Sequence, residues 1–138
     1  MVSVTYPFQF AYPLMEGGHF PALQLRMQAL QEPPQPVDVY AYLDSGAEQS
    51  LFDGGIARAI GLDLLTGRPK RYRSTVGEGI DARLHRVHLV HDDLGAFELE
   101  VGFSSGEISR NLLGRDFFNL VQIGFREHHL TFHVNPVP

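Results

Sequence analysis

The sequence predicts an all-β domain, a small barrel or a sandwich, with two brief helices. Three observations carry that reading. Apolar residues recur at every second position in several short stretches, which is the period of a strand with one buried face. Glycines and prolines punctuate the chain between those stretches, as many short strands require. Only two segments carry helix signals, and both are short.

The elements follow in order. Val2, Val4, Tyr6, Phe8, Phe10 and Tyr12 hold the even positions of a first strand. Gly17-Gly18 makes a turn, after which Leu23, Leu25, Met27 and Ala29 alternate with Gln24, Arg26 and Gln28. The two strands read as a hairpin. Pro33, Pro34 and Pro36 impose a loop, because each fixes φ and removes a backbone donor. Val37, Val39, Ala41 and Leu43 form the next strand, which ends at Asp44. Asp53 caps a short helix through Ile56, Ala57 and Ile60, and Gly61 stands where a left-handed terminating residue belongs. Arg71 to Val76 and Ile80 to Val90 are two extended segments around Gly77-Glu78-Gly79. Phe97, Leu99, Val101 and Phe103 alternate with Glu98, Glu100 and Gly102, a half-exposed strand. Arg115 to Val121 carries the second helix signal, and Leu130, Phe132 and Val134 form the final strand.

With 138 residues the chain has the size of one domain, so a single domain over 1–138 is expected. Eleven Lys and Arg against sixteen Asp and Glu give a formal charge of -5. That field repels phosphate backbones, and no basic run offsets it, which argues against nucleic acid as a partner. There is no Cys, so disulfides, zinc thiolates and thiol nucleophiles do not arise. Pro7, Pro13 and Glu16 break any apolar run before Arg26, the first basic side chain, which is unlike a secretory signal. No stretch of eighteen apolar residues occurs, so a membrane partner is not expected and a cytoplasmic location is.

Asp44-Ser45-Gly46-Ala47 is the sharpest local feature. A carboxylate on a glycine turn at the end of an apolar strand is held rigidly where core meets surface. Ser45 can donate a hydroxyl, and Gly46 admits a close backbone approach. The same three residues also suit a plain capping turn. Leu43-Asp44-Ser45-Gly46-Ala47-Glu48, the glycines around Glu78 and Leu112-Leu113-Gly114-Arg115-Asp116-Phe117 together, in that order, resemble the retropepsin-like aspartic proteases. The resemblance runs from about residue 20 to 134 and rests on the ordered set of motifs.

That resemblance implies a closed acid-protease barrel and an aspartic endopeptidase that needs no cofactor or metal. It implies Asp44 as the catalytic residue, supported by Ser45, Gly46 and Ala47. It implies a flap at Val76, Gly77, Glu78 and Gly79, and an ion pair between Glu48 and Arg115 that braces the active-site loop. Peptide hydrolysis by this route takes two carboxylates around one water, one as base and one as acid. The chain has one such motif: Asp53-Gly54-Gly55 lacks the hydroxyl residue, and His91-Asp92-Asp93-Leu94 lacks the motif altogether. Half a site per chain calls for a two-fold homodimer acting on a peptide or protein. A dimeric peptide-binding module that keeps the fold without turnover is the alternative.

Seven histidines raise a metal reading. His85, His88 and His91 are spaced by three, which on a strand puts neighbours on opposite faces. His128, His129 and His133 cluster near the end without a cysteine. These read as solvated strand and turn residues, and no metal is expected. Gly77-Glu78-Gly79 is too short for a phosphate loop and opens no helix.

Overall fold

A computed structural model of the chain describes residues 5–73 and 77–138. Its elements in chain order are β1 (Phe8–Ala11), β2 (Leu14–Met15), β3 (Gly18–His19), β4 (Ala22–Ala29), β5 (Val37–Leu43), β6 (Leu51–Phe52), α1 (Gly54–Ala59), β7 (Arg68–Tyr72), β8 (Ile80–His91), β9 (Gly95–Ser104), β10 (Leu112–Leu113), α2 (Arg115–Phe118), β11 (Gln122–Arg126) and β12 (Thr131–Asn135). Single 3₁₀ turns at Leu64–Thr66 and Glu127–His129 complete the list. The protein is thus mostly β with two short helices. None of the described helices is long and apolar enough to cross a membrane.

Seven strands form the main sheet in the order β4-β5-β10-β6-β9-β8-β7, and the sheet folds back on itself where β4 also pairs with β8. That fold-back is visible in the burial of β8. Ala82 and Leu84 are buried near its start, and Val87 and Leu89 on the opposite face further along, where β4 joins. The second sheet is β1-β12-β11. Phe52, Phe103, Phe117 and Phe132 are fully enclosed between the elements. Truncating rings of this kind to Ala costs about 3–5 kcal/mol each, so they dominate the local stability.

One expected pairing is not formed. The first strand does not make a hairpin with β4: it lies antiparallel to β12, with Phe10 opposite Phe132 and the two rings stacked at 5.2 Å between centroids. The Gly17-Gly18 turn joins only the two-residue β2 and β3, with positive φ at both glycines. Alternation decides which side chains are buried, and Phe8, Phe10 and Tyr12 do face inward. It does not decide which strand lies alongside. The first helix follows its signals closely: the Asp53 carboxylate accepts from Gly55 N–H, and Gly61 ends it at φ 88. The second is shorter than the segment Arg115 to Val121, because the chain turns at Asn119 toward β11.

Candidate active site

β5 carries Asp44 to its place. Val39, Ala41 and Leu43 are buried on one face of that strand, and the chain leaves it at Leu43. There β10 runs parallel to β5, with Leu112 beside Tyr42 and Leu113 beside Leu43. The Asp44 N–H donates to Leu113 O at 2.9 Å, which continues the ladder one residue past the strand. The turn then closes on itself: Ala47 N–H donates to Asp44 O at 3.1 Å, and Gly46 N–H to Asp44 Oδ1 at 2.8 Å. Asp44 is half-buried, and Ser45 and Gly46 are exposed. A carboxylate is therefore presented at the surface on a backbone tied to the centre of the sheet.

The helix after β10 locks onto the same loop. Arg115 N–H donates to Ala47 O at 2.8 Å, and Asp116 N–H to Glu48 O at 3.3 Å. Ser50, fully buried, gives both its N–H and its hydroxyl to the Asp116 carboxylate, at 3.0 and 2.7 Å. The Ser50 hydroxyl also accepts Gly114 N–H at 3.0 Å. Gly114 must be glycine here, since a Cβ would stand 2.5 Å from Ala47 O.

These bonds correct one expectation. Among the described residues no ion pair joins Glu48 to Arg115, and both side chains are exposed. Ser50 and Asp116 make the brace between loop and helix instead. A half-buried carboxylate taking two bonds from one buried residue is geometrically restrained, whereas two exposed long side chains lose conformational freedom for little gain. Asp116 stands inside the recognised motif; Ser50 carried no signal, because a serine in a polar run gives no hint of burial.

The hairpin of β7 and β8 rises beside this loop, its last pair being Tyr72 and Ile80. Val76 lies outside the described residues. Gly77 has φ 87 with open space around it, and Glu78 is exposed. Gly79 sits tight, since a Cβ there would be 2.6 Å from Tyr72 O. At that last pair the Tyr72 hydroxyl donates to Ser50 O at 2.9 Å, and a Cβ on Gly102 would collide with the Tyr72 ring. Burial, with the nearby Asp116 charge adding to it, pushes the Tyr72 hydroxyl well above its ordinary range. The loop that enters β10 is pinned too: Asp53 Oδ1 accepts Ile108 N–H at 3.0 Å, and Asn111 Oδ1 accepts Asp53 N–H at 2.9 Å.

The histidines do not converge. His85 Nε2 donates to Leu64 O at 3.0 Å, and His91 Nδ1 accepts the Asp93 N–H at 3.0 Å. Among the described residues no three His, Asp or Glu side chains gather as metal ligands would.

No protein-family model and no curated protein sequence matches the chain. Solved structures do. A retropepsin-like aspartic protease from Rickettsia conorii superposes with a TM-score of 0.64 at 16% identity, over 97% of this chain and 96% of that one. The EIAV protease, complexed with the inhibitor HBY-793, superposes with a TM-score of 0.50 at 17% identity, over 84% of this chain and 92% of that one. At such identities the likeness is one of fold, and it extends over nearly the whole chain. The fold of this protein is retropepsin-like.

Proposed function

We propose that the protein is an aspartic endopeptidase whose active site is completed by a second copy of the chain. The observation that carries the reading is the seat of Asp44: a surface carboxylate on an Asp-Ser-Gly turn, tied by its own N–H to Leu113 O in a retropepsin-like fold. One carboxylate cannot be base and acid in the same step. Two Asp44 side chains meeting on a two-fold axis can, because neighbouring like charges hold one proton between them.

The chemistry then balances without a cofactor. The charged Asp44 takes a proton from a water as its oxygen bonds to the scissile carbonyl carbon. The protonated Asp44 of the other copy donates to the carbonyl oxygen, giving a tetrahedral diol. Collapse of the diol breaks the C–N bond: the leaving nitrogen takes the proton of one carboxyl while a diol hydroxyl gives its proton to the other carboxylate as the new C=O forms, so the pair again holds a single shared proton. Gly46 N–H on Asp44 Oδ1 keeps that oxygen oriented through both steps. The hairpin tip around Gly77 to Gly79 closes over an extended peptide and excludes water.

The test is a peptide-library digest comparing wild type with Asp44→Asn, whose amide has nearly the same shape and cannot act as base. Cleavage by wild type alone is expected. Equal cleavage by both assigns the activity to a contaminant and leaves a peptide-binding module as the reading.

A further inference from the structure

A cation stands over the strand that leads into Asp44, and neither the fold nor the proposed chemistry uses it. Arg110 is exposed, and its Cζ lies 4.7 Å from the centre of the Tyr42 ring and 5.4 Å from that of Phe20. Those rings are themselves 5.7 Å apart. Tyr42 precedes Asp44 by two residues, a separation of about 7 Å along an extended chain. The arginine is thus held on an aromatic seat at the edge of the candidate site.

Its backbone is fixed on both sides. Ile108 N–H is bound by Asp53 Oδ1 at 3.0 Å. Asn111 accepts the Tyr42 N–H with its carbonyl at 2.8 Å, and its Nδ2 donates to Tyr40 O at 3.0 Å. Arg110 sits between these anchors, so its position is set before any peptide arrives. Among the described residues it forms no ion pair. Guanidinium offers five N–H donors in a plane, and a ring contact through its face leaves the rim free for a carboxylate.

Glu16 and Asp38 line the same hollow, of about 660 Å³, with Tyr40, Tyr42 and Ile56. Asp38 is four residues from Tyr42 on β5, about 13 Å along the strand, and makes no ion pair with Arg110. Glu16 lies in the exposed turn between β2 and β3. Neither carboxylate pairs with Arg110, which leaves its donors free on the wall of this hollow.

We propose that Arg110, seated over Tyr42 and Phe20, is the specificity determinant of the cleft and selects peptides carrying Asp or Glu beside the scissile bond. The proposal rests on the endopeptidase reading and adds a substrate class to it. An exposed ion pair contributes little, but a peptide covering the guanidinium removes water from the pair and strengthens it. Two-fold symmetry places one Arg110 on each side of the bond.

The experiment is a library digest at about pH 6, where peptide carboxylates are ionised, with wild type, Arg110→Gln and Arg110→Glu. Binding of Glu and Gln peptides from that library to Asp44→Asn is measured in parallel by fluorescence anisotropy, with and without Arg110→Gln. The expected preference of wild type for Glu over Gln is about tenfold in kcat/KM, in line with a charge-assisted hydrogen bond. It falls to near unity in Arg110→Gln and turns toward Lys in Arg110→Glu. Cleavage without a Glu preference, or with one that survives Arg110→Gln, overturns the proposal and leaves the endopeptidase reading intact. Absence of cleavage together with an Arg110-dependent Glu preference in binding does the reverse. Neither cleavage nor binding of any library peptide overturns both.

Discussion

The Ser50 hydroxyl lies 2.7 Å from Asp116 Oδ1, and the Ser50 N–H lies 3.0 Å from Oδ2, so one residue engages both oxygens of a single carboxylate. Ser50 is fully buried beside β6, and Asp116 lies in the first turn of α2. The pair therefore fastens the helix to the loop that presents Asp44. The same serine accepts the Gly114 N–H and, through its carbonyl, the Tyr72 hydroxyl and the Gly102 N–H. Loop, helix and the last pair of the hairpin meet on one side chain and its backbone.

Replacing Ser50 with Ala should therefore be costly. The change removes a donor from Asp116 and the acceptor of a buried Gly114 N–H, and a small apolar residue replaces neither. Leaving such groups unmatched costs about 1–3 kcal/mol each. Urea unfolding should show Ser50→Ala destabilised by about 2 kcal/mol or more. Asp116→Asn should be destabilised as well, with strong coupling in the double variant. A loss below about 0.5 kcal/mol in Ser50→Ala, the range of ordinary surface changes, sinks the assignment of this brace.

Tyr72 gives a prediction in pH. Its hydroxyl donates to Ser50 O, which keeps the Gly102 N–H at 3.0 Å as a second partner, so Tyr72→Phe leaves the carbonyl satisfied. A cost of about 0.5–1.5 kcal/mol at neutral pH follows. Burial raises the hydroxyl above the ordinary value of 10.0, so the folded chain keeps a proton that the unfolded chain releases. That contribution is whole below pH 10 and is lost as pH rises beyond it. The stability difference between wild type and Tyr72→Phe should thus shrink from pH 8 toward about pH 11. A constant difference across that range contradicts the burial of this hydroxyl.

The proposed assembly is checked by mass. One Asp motif per chain needs a symmetric partner, so sedimentation should give about twice 15.4 kDa. Asp44→Asn should sediment identically, since the substitution leaves the loop bonds of the backbone in place. A monomer at micromolar concentration and acid pH argues strongly against a shared active site.

What was readable in the sequence follows from what side-chain order can encode. The alternation from Val37 to Leu43 locates β5, and the structure ends that strand at Leu43, one residue short of the expected Asp44. Asp53 and Gly61 mark both ends of α1, because a cap and a left-handed terminator are local requirements. β6 and β10 are two residues long, too short for any period to register. β11 has no clean alternation: Gln122, Ile123 and Gly124 are all half-buried, and Phe125 is exposed. The partner of β1 is a strand more than a hundred residues away, and only tertiary packing selects it. At the site, the position of Asp44 was legible, but not the residues that hold it. Ser50, Tyr72 and Asn111 act through distant backbone contacts, and no spacing announces those.

The last prediction concerns pH and the nucleophilic water. In the proposed dimer the two Asp44 carboxyls hold one proton between them, and they lose their protons in two steps that belong to the pair. Hydrolysis requires the singly protonated state: below the lower step there is no base, and above the upper step no acid remains to polarise the carbonyl. The rate should therefore follow a bell with its maximum on the acid side of neutral. Asp44→Asn should flatten the profile by removing turnover, at near-native stability. Asp44→Glu tests position separately from charge. Its carboxylate titrates in a similar range, but one added methylene displaces it from the shared water, and misplacement of about 1 Å can cost 100-fold in rate. The substitution also breaks the 2.8 Å bond from Gly46 N–H that orients Oδ1. Turnover in Asp44→Glu should fall at least that far while the bell persists. A profile that rises steadily through neutral pH, or an Asp44→Glu enzyme as fast as wild type, means that bond cleavage is not the work of a pair of Asp44 carboxyls.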